Sequence, residues 1–215
     1  MAHELIDTGA SRSFPEPHPL LAAAAARGDI VVIIGAGAAE AFRSLGSRDR
    51  YAVILVELGT ECLGAHTGEA HGEEGSNVLG FARFRLGTAR PSDLAELVRQ
   101  PRTPESAIAA ARKLFEDHGL KVAVCGDFPG RIVDRLVRPY YNAALRRLDE
   151  GLASADDLDT TLKLGLGYPE GPIHLLERTG LAEHFDMTHA LHEALGDPAY
   201  APARRARVAK QRQKT

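Results

Sequence analysis

The sequence predicts an α/β part followed by an all-α part. Three short, branched apolar runs bounded by Gly, Asp or Arg are typical of buried parallel strands: residues 30–34, 52–56 and 120–125. Helical stretches are predicted in the same part of the chain: residues 20–27, 38–45 and 104–118. The region after residue 126 reads as helix throughout; from residue 131 to 150, for example, apolar residues recur every three to five positions. We therefore expect a short parallel sheet covered by helices, joined to a helical domain.

The last predicted helix of the α/β part has clear start and stop signals. Thr103 is the expected N-cap, Pro104 takes the first helical position, and Gly119 follows the end. The pattern therefore predicts a complete helix before the strand at residues 120–125.

The all-α part is predicted to contain four helices. A long amphipathic helix spans residues 131–150 and stops at Gly151. Ser154 begins the next helix in a capping-box-like pattern, and Gly165 is expected to end it. After a turn-rich connector, two further helices are expected: residues 173–178 and 181–195.

Composition indicates an ordinary globular protein. The chain has 215 residues, of which 44% are hydrophobic and 26% charged. Its apolar runs are far shorter than the roughly 20 residues of a membrane span, and no signal-type pattern is present, so we expect a cytosolic protein away from membranes. Cys62 and Cys125 have no CxxC partner, which favours free thiols.

Charge is distributed unevenly along the chain. The net charge is −3, yet residues 204–215 contain six basic and no acidic residues. We predict that this basic tail is a solvated terminus. Nucleic-acid binding is not expected, because no aromatic residues are interleaved with the basic ones.

Two groups of histidines raise the question of a metal site. One group lies on a single predicted helix, and the other lies in a loop with acidic residues: His184, His189 and His192; His66, Glu69, His71, Glu73 and Glu74. Neither spacing matches a standard zinc pattern, so we expect surface histidines and no metal.

Several ordered motifs in the second half identify a family resemblance. Gly126-Asp-Phe-Pro-Gly-Arg-Ile-Val-Asp-Arg135 resembles the D-x-P-G-F-x-x-N-R junction of 3-hydroxyacyl-CoA dehydrogenases. Three further segments resemble that family's helical domain, in order: residues 153–159, 164–172 and 195–200. Residues 212–215 resemble the start of its R-K-T-G-x-G-F-Y segment.

The resemblance implies a domain organisation. A shortened Rossmann-like domain would span residues 1–126, and a helical domain of the 6-phosphogluconate dehydrogenase-like type would span residues 127–203. The basic tail, residues 204–215, would follow. In the family the helical domain provides most of the dimer contact, and apolar faces on several helices here are consistent with a homodimer.

The resemblance also implies a chemistry, which is the NAD-linked oxidation of 3-hydroxyacyl-CoA to 3-ketoacyl-CoA in fatty acid metabolism. Glu96 falls at the family's catalytic glutamate, and Ala82 at the catalytic histidine that begins H-F-F-N-P. That histidine acts as general base, a role alanine cannot take. Asp134 replaces the asparagine of the N-R pair, so a carboxylate stands where the family has a neutral donor.

Two alignments of the N-terminal part remain open. In the first, Gly35 and Gly37 belong to a dinucleotide fingerprint, and Glu57, 22 residues after Gly35, binds the ribose hydroxyls. Glu40 then occupies the third glycine's position. In the second, residues 52–63 match the family's strand ending in S-N-T-S-S, and Thr60 stands in for a serine. The second alignment needs fewer deletions and leaves out the nucleotide-binding half.

The sequence therefore supports two functional hypotheses. The first is an oxidoreductase-family protein with impaired or lost activity, in which Glu96, Asp134 and Thr60 form the catalytic set and Gly35, Gly37 and Glu57 contact NAD. The second is a non-catalytic oligomerisation or acyl-CoA-binding module, such as the second half of a duplicated dehydrogenase. The expected partners are an acyl-CoA substrate or ligand and a second copy of the chain, which forms a homodimer through the helical domain.

Overall fold

The chain forms two compact units in a computed structural model that describes residues 2–213. The first unit comprises residues 2–84 and 91–132, and the second comprises residues 85–90 and 133–213. The transition thus lies at residue 132, after the predicted boundary at 126. Residues 85–90 belong to the second unit because the backbone N–H of Thr88 donates to the Thr179 carbonyl at 2.8 Å. Residues 214 and 215, the end of the predicted R-K-T-like segment, lie outside the described residues.

The first unit is built on a six-stranded sheet whose strand order follows the chain. Neighbouring strands are parallel, except that β4 and β5 run antiparallel. The α/β fold class is confirmed, and the antiparallel pair corrects the expectation of a wholly parallel sheet. The strands are β1 (His3–Asp7), β2 (Ile30–Ile34), β3 (Val53–Glu57), β4 (Val78–Arg83), β5 (Leu94–Arg99) and β6 (Lys121–Gly126).

Helices cover both faces of this sheet. Leu20 of α1 and Phe115 of α4 pack on one face, together with Val32 of β2. Phe42 of α2 packs on the other face against the alternate β2 residue, Val31. Because both faces of β2 are covered, its five residues are all buried, as its unbroken apolar run predicted. The helices are α1 (Pro19–Ala22), α2 (Ala38–Ser44), α3 (Gly64–Thr67) and α4 (Glu105–Asp117).

The second unit is helical. Ser154 caps α6 as predicted, since its side chain accepts from the Asp157 N–H at 3.1 Å. The predicted stop at Gly165 is wrong: α6 runs on to Leu166, and Gly167 ends it in a left-handed conformation with φ of +69°. The helices are α5 (Val133–Asp149), α6 (Ala155–Leu166), α7 (Pro172–Thr179), α8 (Leu181–Leu195) and α9 (Arg204–Arg212).

Residues 204–212 of the predicted basic tail form the helix α9, which packs against the rest of the unit and corrects the expectation of a solvated terminus for this stretch. Ala206 of α9 is fully buried. Arg204 and Arg205 both pair with Asp149 at 2.8 Å, and a further ion pair ties α9 to α8. Three of the tail's basic residues, Arg204, Arg205 and Lys210, therefore have acidic partners elsewhere in the same unit.

A proline inside α5 creates a local hydrogen-bonding problem that a distant residue solves. Pro139 has no N–H, so the carbonyl of Arg135, four residues earlier, loses its helical donor. The Tyr200 hydroxyl donates to that carbonyl at 3.0 Å. Tyr200 is itself buried. Because Arg135 and Tyr200 end two of the family-like motifs, residues 126–135 and 195–200, these two motifs meet at this contact.

No helix within residues 2–213 combines the length and the apolar character required to cross a bilayer. The cytosolic location expected from the sequence stays a prediction.

Candidate functional site

The first unit brings the predicted catalytic glutamate beside the position of the family's histidine. In the antiparallel pair of β4 and β5, Ala82 lies directly opposite Glu96. Glu96 is only 2% exposed, and its Oε1 accepts the backbone N–H of Ile132 at 2.8 Å. A histidine at position 82 would therefore stand next to this carboxylate, whereas alanine places a methyl group there.

A buried arginine lies beside this pair. Arg131 is 5% exposed and donates from Nη2 to the carbonyl of Gly59. Its Nε and Nη1 are buried and have no hydrogen-bond partner among the residues that the structure describes. The backbone φ of Arg131 is +51°, in a region that side chains seldom occupy. Sequence reasoning passed over this residue, although it stands at the phenylalanine of the D-x-P-G-F motif.

Thr60, the third predicted catalytic residue, contributes its backbone here. Its carbonyl accepts from the Gly130 N–H at 3.1 Å, next to Arg131. Glu96, Thr60 and Arg131 are thus linked through the short segment at residues 130–132. A catalytic role for Glu96 or Thr60 stays a prediction.

The two thiols of this unit are poorly suited to nucleophilic chemistry. Burial, and next the charge of Glu96, raise the pKa of Cys125 to about 11. Burial also raises the pKa of Cys62. Because both pKa values are raised, both thiols remain protonated at neutral pH. The thiolate is the reactive form of cysteine, so neither side chain is a ready nucleophile.

The predicted dinucleotide turn follows β2 and has its backbone donors already engaged. The Gly35 N–H donates to Oε2 of Glu57 at 2.7 Å, and the Gly37 N–H donates to the Thr8 hydroxyl at 2.9 Å. Between them, the Ala36 N–H donates to the Gly9 carbonyl at 2.8 Å. The structure therefore brings Gly35 and Glu57 into contact with each other.

This turn does not fit the phosphates of NAD. Phosphate binding at such a turn requires free N–H groups and room for close approach. A Cβ on Gly35 would lie 2.3 Å from the Gly9 oxygen and 2.6 Å from the Thr8 hydroxyl, so the Gly9 backbone and the Thr8 side chain fill the space above the turn. The cavity that remains beside it, between Glu57 and Glu61, has a volume of about 310 Å³, near the lower bound of about 300 Å³ for ligand pockets.

In the second unit, Asp134 belongs to a buried polar network. Its Oδ1 accepts from Nε of Arg138, one helical turn later, at 2.7 Å. Arg138 is fully buried and also donates to Nδ1 of His184 at 3.0 Å, which leaves the Nε2–H of His184 to donate to Asn142 Oδ1 at 3.0 Å. Burial, and then the charge of Arg138, lower the pKa of His184 to about 3. Asp134 thus has a structural partner, and its catalytic role stays a prediction.

A second carboxylate in this unit caps a helix. Asp159 on α6 accepts from the backbone N–H groups of Ile173 and His174, both at 2.9 Å, and from the His174 ring at 2.6 Å. Burial alone would raise the pKa of Asp159, but the donors of His174 and Ile173 bring the pKa below its usual value. Gly171 allows this approach, because a Cβ there would lie 2.1 Å from Asp159 Cγ.

Two of the remaining histidines and Glu170 have ordinary partners. His66 Nε2 lies 3.4 Å from Glu61, and His189 stacks on Phe185. Glu170 pairs with Arg178 at 2.7 Å. Within residues 2–213, no three His, Cys, Asp or Glu side chains gather as metal ligands would.

The second half of the chain is similar in sequence to known proteins. Residues 130–214 match the model of the 3-hydroxyacyl-CoA dehydrogenase C-terminal domain. The 3-hydroxybutyryl-CoA dehydrogenase of Bradyrhizobium diazoefficiens is 36% identical over 110 residues, which are 51% of this chain and 38% of the relative. The human mitochondrial hydroxyacyl-coenzyme A dehydrogenase is 40% identical over 100 residues, 46% of this chain and 32% of the relative. The matched segment thus spans less than half of either relative.

Solved structures share the fold over most of the chain. FadB2 of M. tuberculosis superposes with a TM-score of 0.70 at 24% identity, covering 87% of this chain and 67% of its own. The (S)-3-hydroxybutyryl-CoA dehydrogenase of Ralstonia eutropha gives 0.67 at 24% identity, covering 84% and 64%. The Rossmann-like sheet with a helical C-terminal domain is the same architecture. Residues 130–214 are therefore similar to the C-terminal domain of the 3-hydroxyacyl-CoA dehydrogenase family, and the chain as a whole shares the fold of these enzymes.

Proposed function

We propose that this protein binds acyl-CoA thioesters as a homodimer and does not transfer hydride. The observation that carries the proposal is the position of Ala82 directly opposite the buried Glu96. Oxidation of a 3-hydroxyl needs a base within hydrogen-bond reach of the leaving proton, and a methyl group cannot accept it.

Two lines of evidence support a thioester ligand. The relatives are named for 3-hydroxybutyryl-CoA and hydroxyacyl-CoA substrates. In addition, two buried donor nitrogens of Arg131 have no partner within residues 2–213, and a buried guanidinium with unmet donors costs free energy. A carbonyl or carboxylate oxygen of a ligand would satisfy them.

Acetoacetyl-CoA is the first ligand to test. We expect isothermal titration calorimetry to detect micromolar binding, while NADH absorbance stays constant when the protein is mixed with NADH and acetoacetyl-CoA. Protein-dependent loss of NADH would overturn the proposal, and so would the absence of any heat of binding.

A pair of variants locates the ligand. Arg131→Met should weaken acetoacetyl-CoA binding about tenfold or more, because a charged donor to the ligand is removed. Arg102→Met is the matched control, since Arg102 is exposed in the same unit and its side chain pairs with Glu73 at the surface. Circular dichroism checks that both variants are folded. Equal affinity in the two variants would remove Arg131 from the site.

The homodimer is proposed from the distribution of exposed apolar side chains. Among residues 2–213, six of the seven exposed large hydrophobic side chains lie in the helical unit. The most exposed are Leu164, at 82%, and Leu136, at 71%. Such a concentration of apolar surface is typical of a protein interface. The six are Leu136, Leu152, Leu164, Leu166, Tyr168 and Val208.

Light scattering tests the dimer. We expect a mass of twice 23.1 kDa at micromolar concentration. Leu164→Glu should shift the mass toward the monomer, because it places a charge within the apolar surface. Phe128→Glu is the control, as it changes an exposed apolar residue of the first unit. A monomeric parent protein would contradict the proposal.

A further inference from the structure

The chain between β1 and α1 crosses the carboxyl ends of three neighbouring strands. We call residues 8–13 the strap. At the end of β2, the Thr8 N–H donates to the Ile34 carbonyl at 3.0 Å. At the end of β4, Nη1 of Arg83 donates to the Ser13 carbonyl at 2.8 Å. The strap therefore runs along the edge at which open α/β sheets bind their ligands.

Glu57, at the end of β3, accepts hydrogen bonds from two residues of the strap. Its Oε2 accepts from the Ser11 hydroxyl at 2.8 Å, and its Oε1 accepts from the Ser13 N–H at 2.6 Å. The same carboxylate accepts the Gly35 N–H of the glycine turn. Glu57 is buried and receives three donors, so it occupies the place that a bound anion would take.

The arrangement opposes a dinucleotide in three ways. The N–H groups of the turn are engaged, the strap backbone lies within 2.3 Å of a Cβ position on Gly35, and the buried carboxylate of Glu57 would repel a phosphate. Each of these features is internal to the first unit.

We infer that Glu57 and the strap replace the nicotinamide cofactor at this edge, so that the first unit folds to completion without a nucleotide and does not bind one. This goes beyond the proposed function, which concerns the missing base and the thioester ligand. A protein could lack the base and still hold NADH.

Nucleotide binding is tested without a thioester. Calorimetry and thermal unfolding with NADH, NAD+ or AMP alone should show no heat of binding and no rise in melting temperature at millimolar ligand. Saturable binding of NADH or AMP would overturn the inference. Binding without NADH consumption would leave the proposed function intact, so the two failures are distinguishable.

Amide hydrogen exchange tests the strap itself. The amides of Ser13 and Gly35 should exchange slowly in the absence of any ligand, because both donate to Glu57. Glu57→Gln should speed their exchange about tenfold, since an amide side chain cannot accept all three donors. The control is Glu61→Gln, which alters a partly exposed neighbour that accepts from the Gly59 N–H.

The outcomes of that comparison are decisive. Equal exchange in Glu57→Gln and Glu61→Gln would overturn the inference. Should Glu57→Gln fail to fold, Ser11→Ala provides the milder test, because it removes one donor and leaves the carboxylate in place. Exchange at Gly35 and Ser13 as fast as in an unstructured peptide would also overturn it.

Discussion

Arg138→Met should lower the free energy of unfolding by about 3 to 5 kcal/mol, the cost of leaving a buried charge without its partner. Arg138 is fully buried and bonds to Asp134 and His184. Methionine fills a similar volume, so the main loss is electrostatic: the Asp134 carboxylate stays buried without its cation. Urea denaturation followed by circular dichroism measures the change.

Two further variants separate charge from packing. Asp134→Asn should cost less than Arg138→Met, because the amide oxygen can still accept from Nε of Arg138. Arg147→Met is the surface control: Arg147 pairs with Glu150 in solvent, and its loss should change stability by less than about 1 kcal/mol. If Arg138→Met costs no more than Arg147→Met, the network contributes nothing to stability.

Gly171→Ala should destabilise the protein by about 2 to 4 kcal/mol through lost hydrogen bonds. The new Cβ would lie 2.1 Å from Cγ of Asp159, so the carboxylate must move away. It then loses the backbone donors of Ile173 and His174 at the start of α7. Thermal and urea unfolding both report the effect.

Gly165→Ala provides a control of opposite sign in the same motif. Gly165 lies inside α6, and a Cβ there meets nothing within 4 Å. Alanine is favoured over glycine in a helix interior by about 0.5 to 1 kcal/mol, so this variant should be more stable than the parent. Equal effects of the two substitutions would show that Asp159 does not cap α7.

The apolar pattern of the sequence predicted those helices and strands in which no charged residue interrupts the buried positions. The run at residues 30–34 is β2, and α8 begins and ends where the periodicity placed it. The strands β4 and β5 were missed because they contain the buried charged residues Arg83 and Glu96, which break the apolar pattern. Charge in a strand usually signals exposure, and here it does not.

The candidate site was predictable where the motif fixed the spacing. Ala82 and Glu96 were paired through the resemblance, and the register of β4 and β5 places them opposite each other. The partners of Glu57 were beyond prediction, because spacing along the chain places a carboxylate near a turn but does not determine which donors it accepts. Its bond to Ser11 joins residues 46 positions apart.

The bond between Tyr200 and the Arg135 carbonyl also has a consequence for folding order. The two residues are 65 positions apart, so the gap that Pro139 opens in α5 is closed only after the end of the domain has docked. The hydrogen bonding of α5 is therefore completed by a tertiary contact. This last bond forms when the segment that contains Tyr200 packs against α5. Such coupling means that α5 cannot reach its final stability while the segment at residues 198–200 is undocked.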